Sequence, residues 1–294
     1  MIRTIALGLL CVAANVTAFA AESALIVSNR AGNADIFLVD VEWGDAINLT
    51  KHKSNDIAPA VSPDGEHIAF SSDRGGVMEI FVMDSDGGNV KRLTHEESPS
   101  SLPTWSPDGK KIAFARGVAG KGLQIFAMNA DGKEQVNLTP DRVAVDPAWS
   151  PDGKRIAYTT PIQGHGFRLF VMDADGKNPK QLTTHDNQLG HVLPIWSPDG
   201  KRIAYGDSAN QRLEIFVCDA DGSNQRQLTQ TGNNAFPAWS ADGTAILFKH
   251  ITSPVNAPIF RIDVADQNGS SLKQLEVFKN EGLVEAGRHV WLDR

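Results

Sequence analysis

The sequence predicts an all-β fold: a six-bladed β-propeller with four antiparallel strands per blade, its ring closed by the C-terminal strand completing the first blade. Three observations predict it. The string WSPDGKKIAF at 105–114 returns as WSPDGKRIAY at 149 and 196, as WSADGTAILF at 239 and as VSPDGEHIAF at 61, and its aspartates (Asp64, Asp108, Asp152, Asp199 and Asp242) are spaced 44, 44, 47 and 43 residues apart. A second string, Ile-Phe or Leu-Phe, occurs six times, from Ile36, Ile80, Ile125, Leu169, Ile215 and Ile259. The first unit begins at SALIVSN without a Trp-Ser strand, and the missing piece stands at the other end of the chain, where HVWLD at 289–293 matches PAWSPD with Trp291 in register. Chemistry needs a motif once, whereas near-constant repetition is the mark of architecture.

The first 20 residues precede the fold. Arg3 gives a short positive start, Ile5 to Val16 is mostly apolar, and Ala18-Phe19-Ala20 is a small-x-small cleavage site. This is the pattern of a secretory signal peptide. The apolar run falls short of the roughly 20 residues needed to span a bilayer. With no twin arginine and no small residue before Cys11, general secretion is expected, without a lipid anchor. Residues 21–294 then form one propeller domain, periplasmic or secreted, and no membrane insertion is expected. The expected product keeps one cysteine, Cys218, so no internal disulfide can form. Its context, IFVCDADG, matches IFVMDADG apart from Leu169, which marks Cys218 as a packed substitute for Met.

Within each unit the order is Pro-x-Trp-Ser, the PDG turn, a run such as KIAFA, a variable segment, Ile-Phe-Val-Met-Asp, a second turn ADG, and a run ending in Leu-Thr. Short β-branched and aromatic runs between Asp-Gly pairs are strands joined by tight hairpins. Their apolar residues are consecutive rather than alternate, so both sheet faces are covered. A covered four-stranded sheet repeated around an axis is a propeller blade.

The net charge is −7, one unit more negative once Arg3 is removed, and basic runs are absent. Electrostatic binding of nucleic acid or anionic lipid is therefore not expected. DADG at 173–176 and 219–222 lacks the glycine and glutamate positions of a helix-loop-helix calcium site. SPDG differs in spacing from the aspartate box of sialidases, and Tyr158 and Tyr205 occupy strand positions filled elsewhere by Phe. Neither a Gly-x-Ser-x-Gly nor a His-Glu-x-x-His motif occurs. Asn48-Leu-Thr and Asn137-Leu-Thr fit a glycosylation acceptor, but the same Leu-Thr ends other units and is read as part of the repeat.

Strand direction sorts the loops by face. The SPDG and ADG turns share one face and are uniform, while the second-to-third-strand loops and the links between blades share the other and vary. Variation on a fixed scaffold is where binding specificity is built. His52, His95 and His185 follow Leu-Thr at outermost strands, about three strand spacings (roughly 14 Å) from the innermost one. They are read as rim residues. His191 and His289 lie beside innermost strands. The residues that begin those strands and ring the channel mouth are Asp56, Ser100, Asp146, His191 and Asn234, with Arg288 leading the closing strand.

The repeat Trp-Ser-Pro-Asp-Gly-Lys-Arg-Ile-Ala-Tyr, Ile-Phe-Val-Met-Asp-Ala-Asp-Gly, Leu-Thr resembles the WD-like repeat of the TolB family over essentially the whole mature chain. The resemblance implies a periplasmic propeller whose channel mouth binds extended protein segments of the cell envelope. TolB itself carries an α/β domain ahead of its propeller, for which this sequence leaves no room. The expected function is a monomeric, non-catalytic module that takes up a protein or peptide segment at Asp56, Ser100, Asp146, His191, Asn234 and Arg288. No cofactor, catalytic residue or metal is assigned. The alternative is a metal-dependent lyase or hydrolase acting on a sugar or ester at the same mouth, with Asp56, Asp146, His191, Asn234 and His289 as its ligand pool.

Overall fold

The computed structural model describes residues 23–28, 31–40, 46–184, 193–209, 212–230, 232–240, 242–250, 259–264, 273–274 and 290–292. The expected signal peptide lies outside them. The first strands are β1 (Ser23–Ser28), β2 (Asp35–Asp40) and β3 (Ala46–Asn48). Next come β4 (Asp56–Val61), β5 (His67–Ser72), β6 (Glu79–Asp84) and β7 (Lys91–Arg92), then β8 (Ser100–Trp105), β9 (Lys111–Val118), β10 (Gly122–Asn129) and β11 (Val136–Asn137). They are followed by β12 (Val145–Trp149), β13 (Arg155–Ile162), β14 (Gly166–Asp173) and β15 (Lys180–Gln181). The chain continues through β16 (Ile195–Trp196), β17 (Arg202–Ala209), β18 (Arg212–Asp219) and β19 (Arg226–Gln227). Last are β20 (Asn234–Trp239), β21 (Ala245–His250), β22 (Ile259–Asp263), β23 (Lys273–Gln274) and β24 (Val290–Leu292). No helix among the described residues is long and apolar enough to cross a membrane.

All pairings are antiparallel, and the sheets confirm an all-β propeller but correct the expected six-bladed count. Five blades are continuous, each made of four consecutive strands: β4–β7, β8–β11, β12–β15, β16–β19 and β20–β23. The remaining strands form no such unit. They make a composite sheet, in the order β24-β1-β2-β3. β24 joins it through three residue pairs, Ser23↔Leu292, Ala24↔Trp291 and Leu25↔Val290. The sheet's innermost strand, β24, comes from the other end of the described chain.

The core lies between sheets. One apolar cluster joins Ala157, Leu169 and Val171 to Trp196, Ile203 and Tyr205 of the next blade. Similar clusters bridge the other seams, including Ile26, Phe37 and Val39 of the composite sheet with Ala238 and Leu247 of the last blade. Met83, Met128, Met172 and Cys218 hold the same strand position and are all buried. Burial pushes the Cys218 thiol up to about 12, so it stays protonated at neutral pH.

Each repeated motif performs one mechanical task. In the SPDG turns the serine hydroxyl donates to the aspartate Oδ1 at 2.5–2.6 Å. The same hydroxyl accepts the N–H of the residue opening the next strand at 2.9 Å. These bonds, the serine's foremost, hold the carboxyls of Asp64, Asp108, Asp152 and Asp199 below the usual carboxylate range. The threonine of Leu-Thr accepts the N–H that opens the Ile-Phe run, as Thr50 does for Ile36, Thr94 for Ile80, Thr139 for Ile125, Thr183 for Leu169 and Thr229 for Ile215 (2.8–3.1 Å). Thr50 and Thr139 of the two glycosylation-like strings therefore have a structural duty. The glycine of the second turn seals the seam. At Gly176 (φ +85°) an added Cβ would stand 2.6 Å from the Leu138 carbonyl oxygen of the preceding blade. The indole Nε1 of Trp105, Trp196 and Trp239 donates across the seam to Ala60, Ala148 and Ile195 carbonyls at 3.1 Å.

One repeat position carries a mismatch. Tyr205 stands where Phe70, Phe114 and Phe248 stand elsewhere, and it is fully buried. Its hydroxyl finds no hydrogen-bond partner among the described residues. A buried unsatisfied hydroxyl costs about 1–3 kcal/mol. Tyr205→Phe is expected to stabilise the fold by about 1 kcal/mol or more, read as a higher midpoint in urea at unchanged slope. A lower midpoint would mean that the hydroxyl has a partner.

Candidate functional site

The variable face is assembled from the starts of innermost strands and the ends of second-to-third-strand loops. A recurring bulge shapes it. In β4, β8, β12 and β20 the ladder skips between Ile57 and Ala60, Ser101 and Thr104, Val145 and Ala148, and Ala235 and Ala238. The residue before proline turns to positive φ in each: Ala58 (51°), Leu102 (59°), Asp146 (56°) and Phe236 (60°), as does Leu193 (35°) before Pro194. A bulge that leaves residues outside the ladder bends its strand and re-aims the side chains beside it.

The bulge moves one predicted site residue. Aligned on the proline, the position of Asp56, Ser100 and Asn234 is filled in the β12 blade by Ala144, which is buried. Asp146 is instead the bulge residue itself and accepts from Thr159 Oγ1 at 3.2 Å. His191, Arg288 and His289 lie outside the described residues.

The other predicted residues are anchored rather than open to solvent. Asp56 is fully buried, and both its carboxylate oxygens accept from Arg74 Nη2 at 2.9 Å. The Arg74 guanidinium lies 5.2 Å and 5.1 Å from the Phe70 and Phe81 ring centres. Burial pushes the Asp56 carboxyl up, against the downward pull of Ser72 and Arg74. Ser100, also buried, accepts from Arg116 Nε at 3.1 Å. Arg116 stacks on Phe114 and Phe126 at 5.1 Å and 4.8 Å, repeating the Arg74 arrangement with another residue.

Asn234 belongs to the densest network. Its Nδ2 donates to Glu214 Oε2 at 2.6 Å, and Thr229 Oγ1 and the Gly232 N–H donate to the same carboxylate at 2.6 Å each. Because Nδ2 faces Glu214, Oδ1 faces His250 Nδ1 at 2.8 Å. An amide oxygen only accepts, so Nδ1 carries the proton and Nε2 is the acceptor of the neutral ring.

Glu214 is one of a set that sequence reasoning missed. In five of the six copies the residue immediately before the Ile-Phe or Leu-Phe run is polar and buried: Asp35, Glu79, Gln124, Arg168 and Glu214. Asp35 accepts from Asn48 Nδ2 and Thr50 Oγ1, Glu79 pairs with Arg92, and Gln124 Nε2 donates to the Pro140 carbonyl. Their signal was present, a polar residue at one fixed offset before an apolar run, but its chemistry varies among carboxylate, amide and guanidinium. These polar groups on the variable face are buried and held by partners within the fold. Among the described residues the three-ligand group that could hold a metal, Asp64 with Glu66 and His67, lies on the opposite face.

The profile of the TolB beta propeller domain family matches residues 18–192. The crystal structure of TolB from Acinetobacter baumannii superposes with a TM-score of 0.75 at 20% identity, covering 92% of this chain and 66% of that one. The structure of a putative TolB from Agrobacterium tumefaciens gives 0.70 at 21%, covering 91% and 93%. At these identities the likeness is one of fold. A TolB homolog of Chlorobaculum tepidum is 40% identical over 47 residues, which is 16% of this chain and 11% of that protein. The chain thus spans less than two thirds of both the Acinetobacter protein and this relative.

Proposed function

The chain belongs to the TolB beta propeller domain family, and from that premise we propose that it is a non-catalytic binding module of the cell envelope. It takes up an extended protein segment at the channel mouth of the variable face. Residues 1–20 direct its export to the periplasm, where it acts as a monomer. The observation that carries the reading is the recurring bulge, which removes the pairs from Ala58-Pro59 to Phe236-Pro237 from the ladder beside a ring of fixed polar groups. The proposed site residues are Asp56, Ser100, Asn234 and the bulge residue Asp146, with His191 and Arg288 outside the described residues.

Because Asp56, Ser100 and Asn234 are buried, a test of binding needs other positions. Leu102 and Phe236 are half-buried bulge residues at φ 59° and 60°. Asparagine tolerates this left-handed conformation better than other L-residues. Leu102→Asn with Phe236→Asn is therefore expected to keep the fold while removing apolar contact at the mouth. Envelope proteins captured on the immobilised intact chain should fall at least tenfold on this variant. Asp175→Ala with Lys177→Ala, an exposed pair on the opposite face, should capture as the intact chain does. Equal capture by the mouth variant, or loss only in the control, would place binding elsewhere.

A further inference from the structure

The turn face was expected to be uniform, yet the second residue after its SPDG or SADG turns is arginine in two blades and differs in the others. The first residues of β13 and β17 are Arg155 and Arg202. Each lays its guanidinium over the tryptophan of the next blade, Arg155 4.6 Å from the Trp196 ring centre and Arg202 4.9 Å from that of Trp239. Arg202 Nη2 also donates to the Gly243 carbonyl of the next blade's turn at 3.1 Å. Each arginine's charge helps, after the serine hydrogen bond, to hold its own turn aspartate low, Asp152 or Asp199. With the guanidinium in place, Trp196 and Trp239 are only 5% and 6% exposed.

In the β4–β7 blade the same position is His67, and imidazole is far shorter than the arginine side chain. The seam holds instead a cavity of about 360 Å³ lined by Asp64, His67, Asp84, Lys91, Trp105 and Gly109, among others. These are the parts of the arginine seat. Trp105 supplies the indole, tied by its Nε1 to the Ala60 carbonyl and only half-buried. Asp64 is the turn aspartate and Gly109 the glycine of the next turn. Asp84 pairs across the strand with His67, with 3.8 Å between Oδ1 and Nε2. The cavity's one lysine, Lys91, helps hold Asp131 of the next blade low. Glu66, exposed beside Asp64, adds negative charge at the rim.

We propose that this cavity binds the arginine side chain of a partner protein segment. The guanidinium stacks on Trp105, donates to the Gly109 carbonyl and faces Asp64 and Asp84, reproducing from outside what Arg155 and Arg202 do from within. A guanidinium is weakly hydrated, planar and always charged, which suits an indole face beside carboxylates. Asp64 and Glu66 are exposed, so a chain can run across the rim while its side chain enters. The site lies on the face opposite the channel mouth and stands independently of the reading proposed for that mouth.

The test follows the indole Nε1–H signal of Trp105, identified by its loss in Trp105→Phe, during titration with N-acetyl-arginine amide. A saturable shift of that signal is expected, with Trp196 and Trp239 unmoved. His67→Arg should fill the seat from within and weaken binding at least tenfold, while Asp175→Ala with Lys177→Ala, outside the cavity, should bind as the intact chain does. The neutral citrulline amide should bind at least tenfold more weakly. A blocked Gly-Arg-Gly peptide should bind at least as tightly as the arginine amide. No saturable shift, or unchanged binding by His67→Arg, would overturn the proposal. Zinc chloride moving the His67 and Trp105 signals where the arginine amide does not would make Asp64, Glu66 and His67 a cation site instead. Binding of the amide but not of the peptide would exclude a protein segment.

Discussion

Deletion of residues 288–294 is expected to lower the melting temperature by roughly 10 °C or more. The segment contains β24, which pairs with β1 at Ser23, Ala24 and Leu25. β1 contributes Leu25 and Val27 to the seam with the β4–β7 blade and Ile26 to the seam with the β20–β23 blade. Without β24 the inner backbone groups of β1 lose their partners, and apolar surface opens on both sides of the closure. Uncovering about 200 Å² of such surface costs about 5 kcal/mol. That equals the lower end of the whole stability of a typical domain, about 5–15 kcal/mol. Removal of residues 293–294 alone, beyond β24, is expected to leave the melt unchanged. Equal melting of both truncations and the intact chain would mean that the C-terminal pairing does not hold the ring. Shortening the other end is not a neutral control, because Ser23 and Ala24 pair with Asp40 and Val39 as well as with β24.

The repeat made most of the architecture legible, because each of its motifs has one mechanical duty that chemistry dictates. SPDG needs serine and aspartate to cross-bond a tight turn. Leu-Thr needs a hydroxyl to accept the first N–H of the Ile-Phe run. The second turn needs glycine for φ +85° under a neighbouring carbonyl, as at Gly176. The bulge was not legible. A residue before proline is ordinarily pushed to extended backbone, and neither Ala58 nor Leu102 signals a positive φ. Lining up the strands by their polar residues therefore placed Asp146 two positions from its structural counterpart, Ala144. Burial at the mouth was hidden for a related reason. Asp56 and Asn234 read as residues ringing the channel mouth, whereas their partners, Arg74 and Glu214, come from loops and strand starts that vary between copies. The cavity at His67 was hidden by the same repeat that revealed the fold. A change from Lys or Arg to His beside a recurring turn is small in sequence and large in the space it leaves.

Arg74→Ala is expected to cost about 3–5 kcal/mol at neutral pH, the usual penalty for leaving a buried charge without its partner. Asp56 is fully buried and meets Arg74 through both carboxylate oxygens. The guanidinium also covers Phe70 and Phe81, so the substitution opens apolar surface as well. Asp56→Asn should cost less, because it removes the buried charge and leaves Arg74, whose side chain keeps 14% of its surface in solvent. The pH dependence separates the two contributions. Burial already raises the Asp56 carboxyl above its usual value, and Arg74 is among the groups that pull it back. Without Arg74 the folded-state value rises further above the unfolded one. An acid whose folded value is raised binds its proton more tightly when folded, so stability is gained as pH falls through the folded value towards the unfolded one. The gap between Arg74→Ala and the intact protein, measured by urea unfolding from neutral pH down to about pH 4–5, should therefore narrow. A gap that stays constant with pH would assign the loss to packing over the two phenylalanines. A gap below about 1 kcal/mol at neutral pH, within the range of exposed pairs, would show that the Asp56–Arg74 pair does not hold the mouth in place.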